Sequence, residues 1–238
     1  MFHRRGPTLA ELAVQALCST ARGYDLLAPK FDYTPFRTAD SVLTAVSPHI
    51  GAPGSVGSAL DACCGTGAAL EMLRPLCRDR VVGLDFSRGM LEVCRERPAA
   101  AEGGAPVSLV LADALQMPFD SAFDVAVCFG ALGHIARRDQ SRFVAQVARV
   151  LHPGGRFVFV SSRMPSLWSW RYWAARAFNA AMHARNLLPG PPFVMYYLRF
   201  LVPEATDMLE AAGFEVGVRA LDLGDGLGHL VWVIATRT

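Results

Sequence analysis

The stretch Asp61-Ala62-Cys63-Cys64-Gly65-Thr66-Gly67 (DACCGTG, 61–67) decides the fold of this chain. It continues an apolar β-rich run, ALDAC (59–63), and precedes a helical pattern over 68–77. Gly65 and Gly67 permit backbone angles and a close approach that larger side chains would block. We therefore predict a strand, a turn and a helix, with a ligand lying against the turn near the helix N-terminus. The adjacent cysteines raise two alternatives, a metal site and a redox pair.

The cysteines do not have the spacing of a metal site. Six of them stand at 18, 63, 64, 77, 94 and 128, and none forms a C-x-x-C pair. Most lie in apolar or helical stretches, where a free cysteine behaves as a small hydrophobic residue. We therefore predict no metal, reduced thiols in a cytoplasmic protein, and packing roles for Cys63 and Cys64.

Apolar β-rich runs alternate with helical patterns along most of the chain. Five such runs cover residues 59–63, 81–85, 107–113, 123–130 and 156–162. Near-continuous apolar strands separated by helices indicate βαβ units and a buried parallel sheet. The runs 214–222 and 229–237 are joined by a short glycine-rich link, 223–228, so an antiparallel strand should complete the sheet. The prediction is an α/β fold with a doubly wound, seven-stranded sheet, mostly parallel with an antiparallel last strand.

Helical regions flank this sheet. We expect residues 1–50 to form a helical N-terminal cap, and residues 51–238 a main domain with a helical insertion, or lid, over 163–203. The N-terminus begins like a signal peptide, but Glu11 and Gln15 interrupt its apolar run, which favours an amphipathic helix. The chain is 52% hydrophobic with a net charge of +2, so it can bury a core and its charge gives no argument for nucleic-acid binding.

Acidic residues stand at the ends of three predicted strands. Asp61 precedes the glycine turn, Asp85 ends the second strand and Asp113 ends the third. Open α/β sheets bind ligands at the carboxyl ends of their strands. Asp85 can accept hydrogen bonds from both ribose hydroxyls of a nucleoside, and Asp113 can accept one from an adenine amino group. The alternative role for Asp85 is to cap the next helix, which Ser87 can do equally well.

These motifs resemble those of the class I S-adenosylmethionine (SAM)-dependent methyltransferases. The matching segments are LDACCGTGAAL, VVGLDFSRGML, LADALQMPF and LHPGGRFVF. Cys63 stands where the family often has a glycine, although small residues are tolerated there. The resemblance implies SAM as the cofactor. It assigns to the SAM site Asp61, Cys63, Gly65, Gly67, Asp85, Phe86, Met90, Asp113, Ala114, Leu115, Phe129 and Gly130.

A nicotinamide dinucleotide site is the main alternative for the glycine turn. That site requires G-x-G-x-x-G, but Leu70 stands at the third glycine position. The dinucleotide fold also gives Asp61 no role, whereas the methyltransferase family uses an acidic residue there, near the methionine amino group of SAM. The sequence therefore favours SAM over an oxidoreductase cofactor.

The segment after the fourth strand narrows the acceptor class. FGALGHI (129–135) stands where an N/D-P-P-Y/F motif would mark methylation of base amines or glutamine amides, so the sequence argues against those acceptors.

Residues 196–232 are similar to the ubiquinone/menaquinone C-methyltransferases. We carry over a small apolar or amphiphilic acceptor, such as a quinone precursor, a lipid or a secondary metabolite. A SAM-binding partner subunit that has lost catalysis is the alternative, and the acceptor atom and oligomeric state stay open.

Two residues are candidates for catalysis. His134 follows the fourth strand and has an ordinary pKa near neutral, so it is either a general base or a structural histidine that shapes the cofactor pocket. Tyr24-Asp25 and Phe31-Asp32-Tyr33, with Arg37, resemble the start of many small-molecule methyltransferases, whose N-terminal helices cap the SAM pocket. Tyr33 is the first candidate for a contact from this cap, with simple packing as its alternative.

Residues 140–203 contain no Asp or Glu and carry eight arginines. Trp170, Trp173 and Tyr197 are the predicted lid residues. The residues predicted to share one apolar helical face are Trp170, Trp173, Ala174, Ala177, Phe178, Ala181 and Met182. A basic helix with tryptophans suits a lid over an amphiphilic or phosphorylated substrate, or peripheral contact with an anionic membrane. The third possibility is a helix packed in the core whose arginines are solvated.

Overall fold

A computed structural model of the chain describes residues 3–97, 104–221, 223 and 230–238. They contain a seven-stranded sheet with the order β3-β2-β1-β4-β5-β7-β6. The strands are β1 Val56–Ala62, β2 Cys77–Asp85, β3 Val107–Leu111, β4 Phe123–Cys128, β5 Leu151–Ser162, β6 Phe214–Ala220 and β7 Leu230–Arg237. β7 runs antiparallel to β5 and β6, whereas the pairs among β1 to β5 are parallel. The predicted doubly wound sheet with an antiparallel last strand is confirmed.

Helices precede the sheet and connect its strands. The α-helices of the described residues are α1 Leu9–Leu17, α2 Thr20–Leu27, α3 Asp40–Ile50, α4 Ala68–Leu73, α5 Arg88–Glu96, α6 Gln140–Val150, α7 Trp170–Asn186 and α8 Glu204–Ala211. Short 3-10 helices cover Ala28–Tyr33, Leu132–His134 and Arg137–Asp139. The first three helices occupy the region expected to form a cap, and α7 occupies the expected insertion.

The structure corrects two predicted boundaries. The helix expected over 68–77 ends at Leu73, because the chain turns back there and β2 begins at Cys77. The fifth strand, expected from residue 156, instead begins at Leu151, so Pro153, Gly154 and Gly155 belong to β5. The β4–β5 register shifts after the Phe123–Leu151 pair, so the extra residues are absorbed as a bulge. The glycine-rich residues 224–228 lie outside the described part of the chain.

Both faces of the sheet are buried, which explains the near-continuous apolar strands. Leu60 and Ala126 belong to one hydrophobic cluster, to which α6 and α8 contribute. Their neighbours Ala59 and Val125 belong to a second cluster with α3, α4 and α5. Successive residues of a strand point to opposite faces, so each central strand contributes to both cores.

The strand order reverses direction between β1 and β4, the two central strands. The chain proceeds outward from β1 to β2 and β3, and then crosses back to β4 on the other side of β1. At such a point the connections leave the sheet in opposite directions and open a crevice beyond the carboxyl ends of the strands. The topology therefore places a ligand site beside the ends of β1 and β4.

Candidate functional site

A cavity of about 660 Å³ occupies this crevice. Its walls combine the carboxyl ends of β1, β2, β4 and β5 with residues of the N-terminal helices and of the segment that follows α7. The volume lies within the range of natural small-molecule sites, about 300–1,000 Å³. Eleven of the twelve predicted SAM-site residues line it, namely Asp61, Cys63, Gly65, Asp85, Phe86, Met90, Asp113, Ala114, Leu115, Phe129 and Gly130.

Asp61 presents a buried carboxylate to the cavity. Its side chain is 2% exposed, and it makes no hydrogen bond or ion pair with any residue that the structure describes. Burial, reinforced by the nearby Asp85 carboxylate, raises the pKa of Asp61 well above its ordinary value. A buried carboxylate without a partner is costly, and a cationic ligand group would offset that cost.

Asp85 shapes the glycine turn as well as facing the cavity. One carboxylate oxygen accepts a hydrogen bond from the Gly65 N–H at 2.9 Å, and the other accepts one from the Ser87 N–H at 2.8 Å. Burial raises the pKa of Asp85, although these backbone donors oppose the rise. Ser87 caps α5, so Asp85 is not needed as the cap. Each carboxylate oxygen retains acceptor capacity for a ligand hydroxyl.

The two glycines of the turn have different roles. Gly65 has φ 52° and lines the cavity, with its backbone open to a ligand. Gly67 has φ 91° but does not line the cavity, and a β-carbon there would lie 2.5 Å from the Cys94 sulfur. Gly67 therefore packs against α5, and it lies outside the wall of the cavity in which its cofactor contact was expected.

The adjacent cysteines are part of the turn and its packing. Cys63 has φ 69°, a left-handed conformation that glycine adopts at lower cost, which explains why the family often has glycine there. A hydrogen bond with Cys128 and burial raise the pKa of the Cys63 thiol well above its ordinary value. A hydrogen bond with Cys94 and burial do the same for Cys64. Both thiols therefore stay protonated, unlike metal ligands or redox nucleophiles.

Apolar side chains line the part of the cavity next to β2 and β3. Phe86, Met90, Ala114 and Leu115 are the apolar members of this wall. Asp113 is exposed at its edge, and its carboxylate accepts a hydrogen bond from the Leu115 N–H at 2.8 Å. The combination of apolar walls and a carboxylate at the rim suits a flat heteroaromatic ring with an exocyclic amino group.

The N-terminal region is hydrogen-bonded to this turn and to α5. Asp25 accepts hydrogen bonds from the Ser87 hydroxyl at 2.7 Å and from the Gly89 N–H at 2.9 Å. The Thr66 hydroxyl, in the glycine turn, donates to Asp32 at 2.6 Å. Sequence reasoning noted the Tyr-Asp pairs but missed these contacts, which join residues 34 to 64 positions apart.

Tyr24 and His134 form a half-buried pair in the cavity wall. The Tyr24 hydroxyl lies 2.7 Å from His134 Nε2, and His134 Nδ1 lies 2.7 Å from the Val194 carbonyl oxygen. A carbonyl only accepts, so Nδ1 carries the proton and Nε2 accepts from Tyr24. Burial lowers the pKa of His134. Burial, and to a smaller extent the negative charge of Asp85, raises the pKa of Tyr24. Both groups are therefore neutral.

Three predicted site residues lie elsewhere. Tyr33 is not among the residues that line the cavity; its ring stacks on His3 at a centroid distance of 5.1 Å, and Tyr24 occupies the place expected for it. Trp170 and Trp173 are 75% and 62% exposed and do not line the cavity either. The remaining member of the predicted lid, Tyr197, does line it.

The segment 193–199, which we call the strap, contributes residues 194–199 to the wall of the cavity on the side of the insertion. The side-chain amide of Asn179 pairs with the Tyr197 backbone, through two hydrogen bonds of 2.8 Å. Asn186 makes the equivalent pair with Phe193, at 3.0 and 3.1 Å. Helix α7 therefore supports the strap from outside and leaves the strap to form the cavity wall.

Comparison with known proteins identifies the family. A family profile described as "Methyltransferase domain" matches residues 59–155. Demethylmenaquinone methyltransferase of Staphylococcus aureus (strain JH9) is 38% identical over 186 residues, covering 72% of this chain and 74% of that protein. The ubiquinone/menaquinone biosynthesis C-methyltransferase of Desulfotalea psychrophila is 37% identical over 163 residues, covering 68% of this chain and 55% of that protein.

A solved structure described as a DhpI–SAH complex matches the fold with a TM-score of 0.66 and 21% identity, covering 96% of this chain and 98% of that one. The chain spans about half the length of several curated relatives, 43% to 55% of each. The Staphylococcus aureus relative is matched over nearly three quarters of its length. The chain therefore belongs to the class I SAM-dependent methyltransferases.

Proposed function

We propose that this chain binds SAM in the cavity and transfers its methyl group to a small apolar or amphiphilic acceptor. The observation that carries the proposal is Asp61, a buried carboxylate without a partner that faces the cavity beside the glycine turn. The α-ammonium group of SAM would supply the missing positive charge. Asp85 would accept from the ribose hydroxyls, while Phe86 and Leu115 flank the adenine and Asp113 accepts from its amino group.

Bound SAM supplies an electrophilic methyl group on a sulfonium centre, so the protein's task is to align the acceptor and exclude water. The cavity wall beyond the glycine turn is largely apolar, with Leu132, Ile135, Val160, Val194, Met195 and Leu201 among its members. Such a wall favours an acceptor with a substantial apolar surface. The curated relatives named as quinone-biosynthesis methyltransferases support a quinone precursor as the first class to test.

His134 acts as a positioning residue in this proposal, as its hydrogen bonds indicate. Its only unprotonated nitrogen already accepts a hydrogen bond from the Tyr24 hydroxyl, and the desolvation that lowers the pKa of His134 disfavours protonation of the ring. The pair instead holds the Tyr24 oxygen, with a free lone pair, in the cavity wall. Tyr24 can then accept a hydrogen bond from an acceptor hydroxyl and orient it toward the methyl group.

The proposal is tested by a labelled-methyl assay. The protein is incubated with methyl-labelled SAM and with either the organic-solvent or the aqueous extract of the source cells, and labelled products are identified by mass spectrometry. We expect S-adenosylhomocysteine and a labelled product from the organic extract. SAM binding without turnover on any extract would favour the inactive partner subunit, and calorimetric binding of NAD instead of SAM would overturn the cofactor assignment.

A further inference from the structure

Helix α7 exposes part of its apolar surface to solvent. Tyr172, Phe178 and Met182 are half-buried on the side that faces the body of the protein, together with the strap-binding Asn179 and Asn186. At 100° per residue, the outward side carries Trp170, Trp173, Ala177, Ala180, Ala181 and Ala184. The predicted apolar face is thus divided, because Phe178 and Met182 pack inward while its two tryptophans and three alanines are exposed.

Large apolar side chains extend this face beyond both ends of the helix. We call the combined region the α7 surface and define it by Met164, Leu167, Trp168, Trp170, Trp173, Leu187 and Leu188, each more than half exposed. Trp168 is 97% exposed and Leu187 is 86% exposed. Isolated apolar residues are ordinary on a protein surface, but seven large exposed apolar side chains on and around one helix are typical of an interaction site.

Positive charge surrounds the α7 surface. No Asp or Glu occurs between residues 140 and 203. Arg163, Arg171 and Arg176 are exposed and make no ion pair with any carboxylate in the described chain. Exposed tryptophans combined with unpaired arginines match the interface of an anionic bilayer, where aromatic rings lie at headgroup depth and each arginine is attracted to acidic lipid.

The reverse side of the same helix carries the cavity wall. Asn179 and Asn186 hold the strap through paired hydrogen bonds, and Tyr197 of the strap faces the cavity. The outer side of α7 therefore lies one helix diameter, roughly 10 Å, from the strap that walls the cavity. The helix has 17 residues and is about 25 Å long at 1.5 Å per residue, so it can lie flat on a surface.

We infer that the α7 surface docks on an anionic lipid bilayer, so that an amphiphilic acceptor reaches the cavity past the strap; this rests on the proposed function. Among the described residues, no helix combines the length and hydropathy needed to span a bilayer, so the contact is peripheral. A second copy of the chain fits the surface less well. A symmetric contact would bring the unpaired arginines of two copies together without any acidic partner.

Vesicle co-sedimentation tests the inference without SAM or an acceptor. We use vesicles of phosphatidylcholine alone and vesicles of phosphatidylcholine and phosphatidylglycerol in equal parts. The wild type should bind the mixed vesicles and release them at high salt. Arg171→Gln with Arg176→Gln should weaken binding about thirtyfold. Each arginine near an anionic surface contributes about 1 kcal/mol, so the loss of two costs about 2 kcal/mol. The matched control, Arg78→Gln with Arg95→Gln, changes two other exposed arginines by the same charge and should bind almost as the wild type.

Tryptophan fluorescence gives a second readout. Three of the four tryptophans belong to the α7 surface, and the fourth, Trp232, is buried. Binding should shift the emission to shorter wavelength, and Trp168→Ala with Trp170→Ala should abolish binding. Leu111→Ala, which removes an exposed apolar side chain from the edge strand β3, is the control and should leave binding intact.

Each outcome decides the inference separately from the proposed function. No binding of the wild type to mixed vesicles, or unchanged binding in the tryptophan variant, overturns it. A dimer that the tryptophan substitutions dissociate, without lipid binding, would assign the surface to a second copy and also overturn it. Calorimetry with SAM and turnover of a detergent-solubilised acceptor are measured separately, so loss of vesicle binding alone leaves the methyltransferase proposal standing. Vesicle binding without SAM binding would contradict only that proposal.

Discussion

Replacing Asp61 with asparagine should stabilise the ligand-free protein while weakening SAM binding. The substitution preserves shape and removes the charge of a side chain that is 2% exposed and without a partner among the described residues. We expect the free energy of unfolding at neutral pH to rise by roughly 1–3 kcal/mol, because burying an unpaired charge costs more than burying a neutral amide of the same shape. Because burial raises the pKa of Asp61, the gain should vanish below pH 3.8, the ordinary aspartate value, and grow as the pH rises above it.

The same change should remove the partner of the SAM ammonium group. A hydrogen bond to a charged group contributes about 1.5–3 kcal/mol, which corresponds to roughly a ten- to hundredfold loss of SAM affinity. Methylthioadenosine provides the control ligand, because it keeps the adenosine and the sulfur but lacks the amino-acid portion. Its affinity should be the same for both proteins. Calorimetry with the two ligands and urea denaturation of the ligand-free proteins measure these quantities.

Two results would refute the reasoning about Asp61. An equal loss of affinity for SAM and methylthioadenosine would show that the substitution disturbs the whole glycine turn. A ligand-free variant less stable than the wild type at neutral pH would show that the carboxylate stabilises the fold. Either result would remove the fit to a cationic ligand group on which the cofactor proposal depends.

Three further predictions concern the cavity wall. Asp85→Ala should lower SAM affinity by roughly 1–3 kcal/mol. It should also destabilise the turn, because the Gly65 and Ser87 N–H groups lose their acceptor. Unchanged affinity in calorimetry would contradict the ribose assignment. Because burial lowers the pKa of His134, the free energy of unfolding of the wild type in urea titrations should fall as the pH drops below 6.5. His134→Gln should lose less stability over the same range. An equal dependence of stability on pH in the two proteins would contradict this. Asn179→Ala should release the strap and raise the KM for the acceptor without changing SAM affinity in calorimetry; an unchanged KM would contradict that role.

The local pattern of the sequence was sufficient to determine the sheet and the position of the glycine turn. Apolar runs of strand length alternate with helical segments. Such strands are apolar on both sides, so both faces of the sheet must be buried, and the two hydrophobic clusters show that they are. The carboxylates of Asp61 and Asp85 could be assigned to one edge because parallel strands end together. These features depend on residues close in sequence and on rules of topology, so no contact between distant segments had to be known.

Other features were decided only by the tertiary structure. Tyr24 meets His134 across 110 positions, and that contact determines which histidine nitrogen carries the proton. The periodicity of α7 defined an apolar face but not its direction, and packing turned Trp170 and Trp173 outward because Asn179 binds the strap on the other side. A helical pattern specifies which side chains share a face, whereas the direction of that face depends on which segments the rest of the chain brings against the helix.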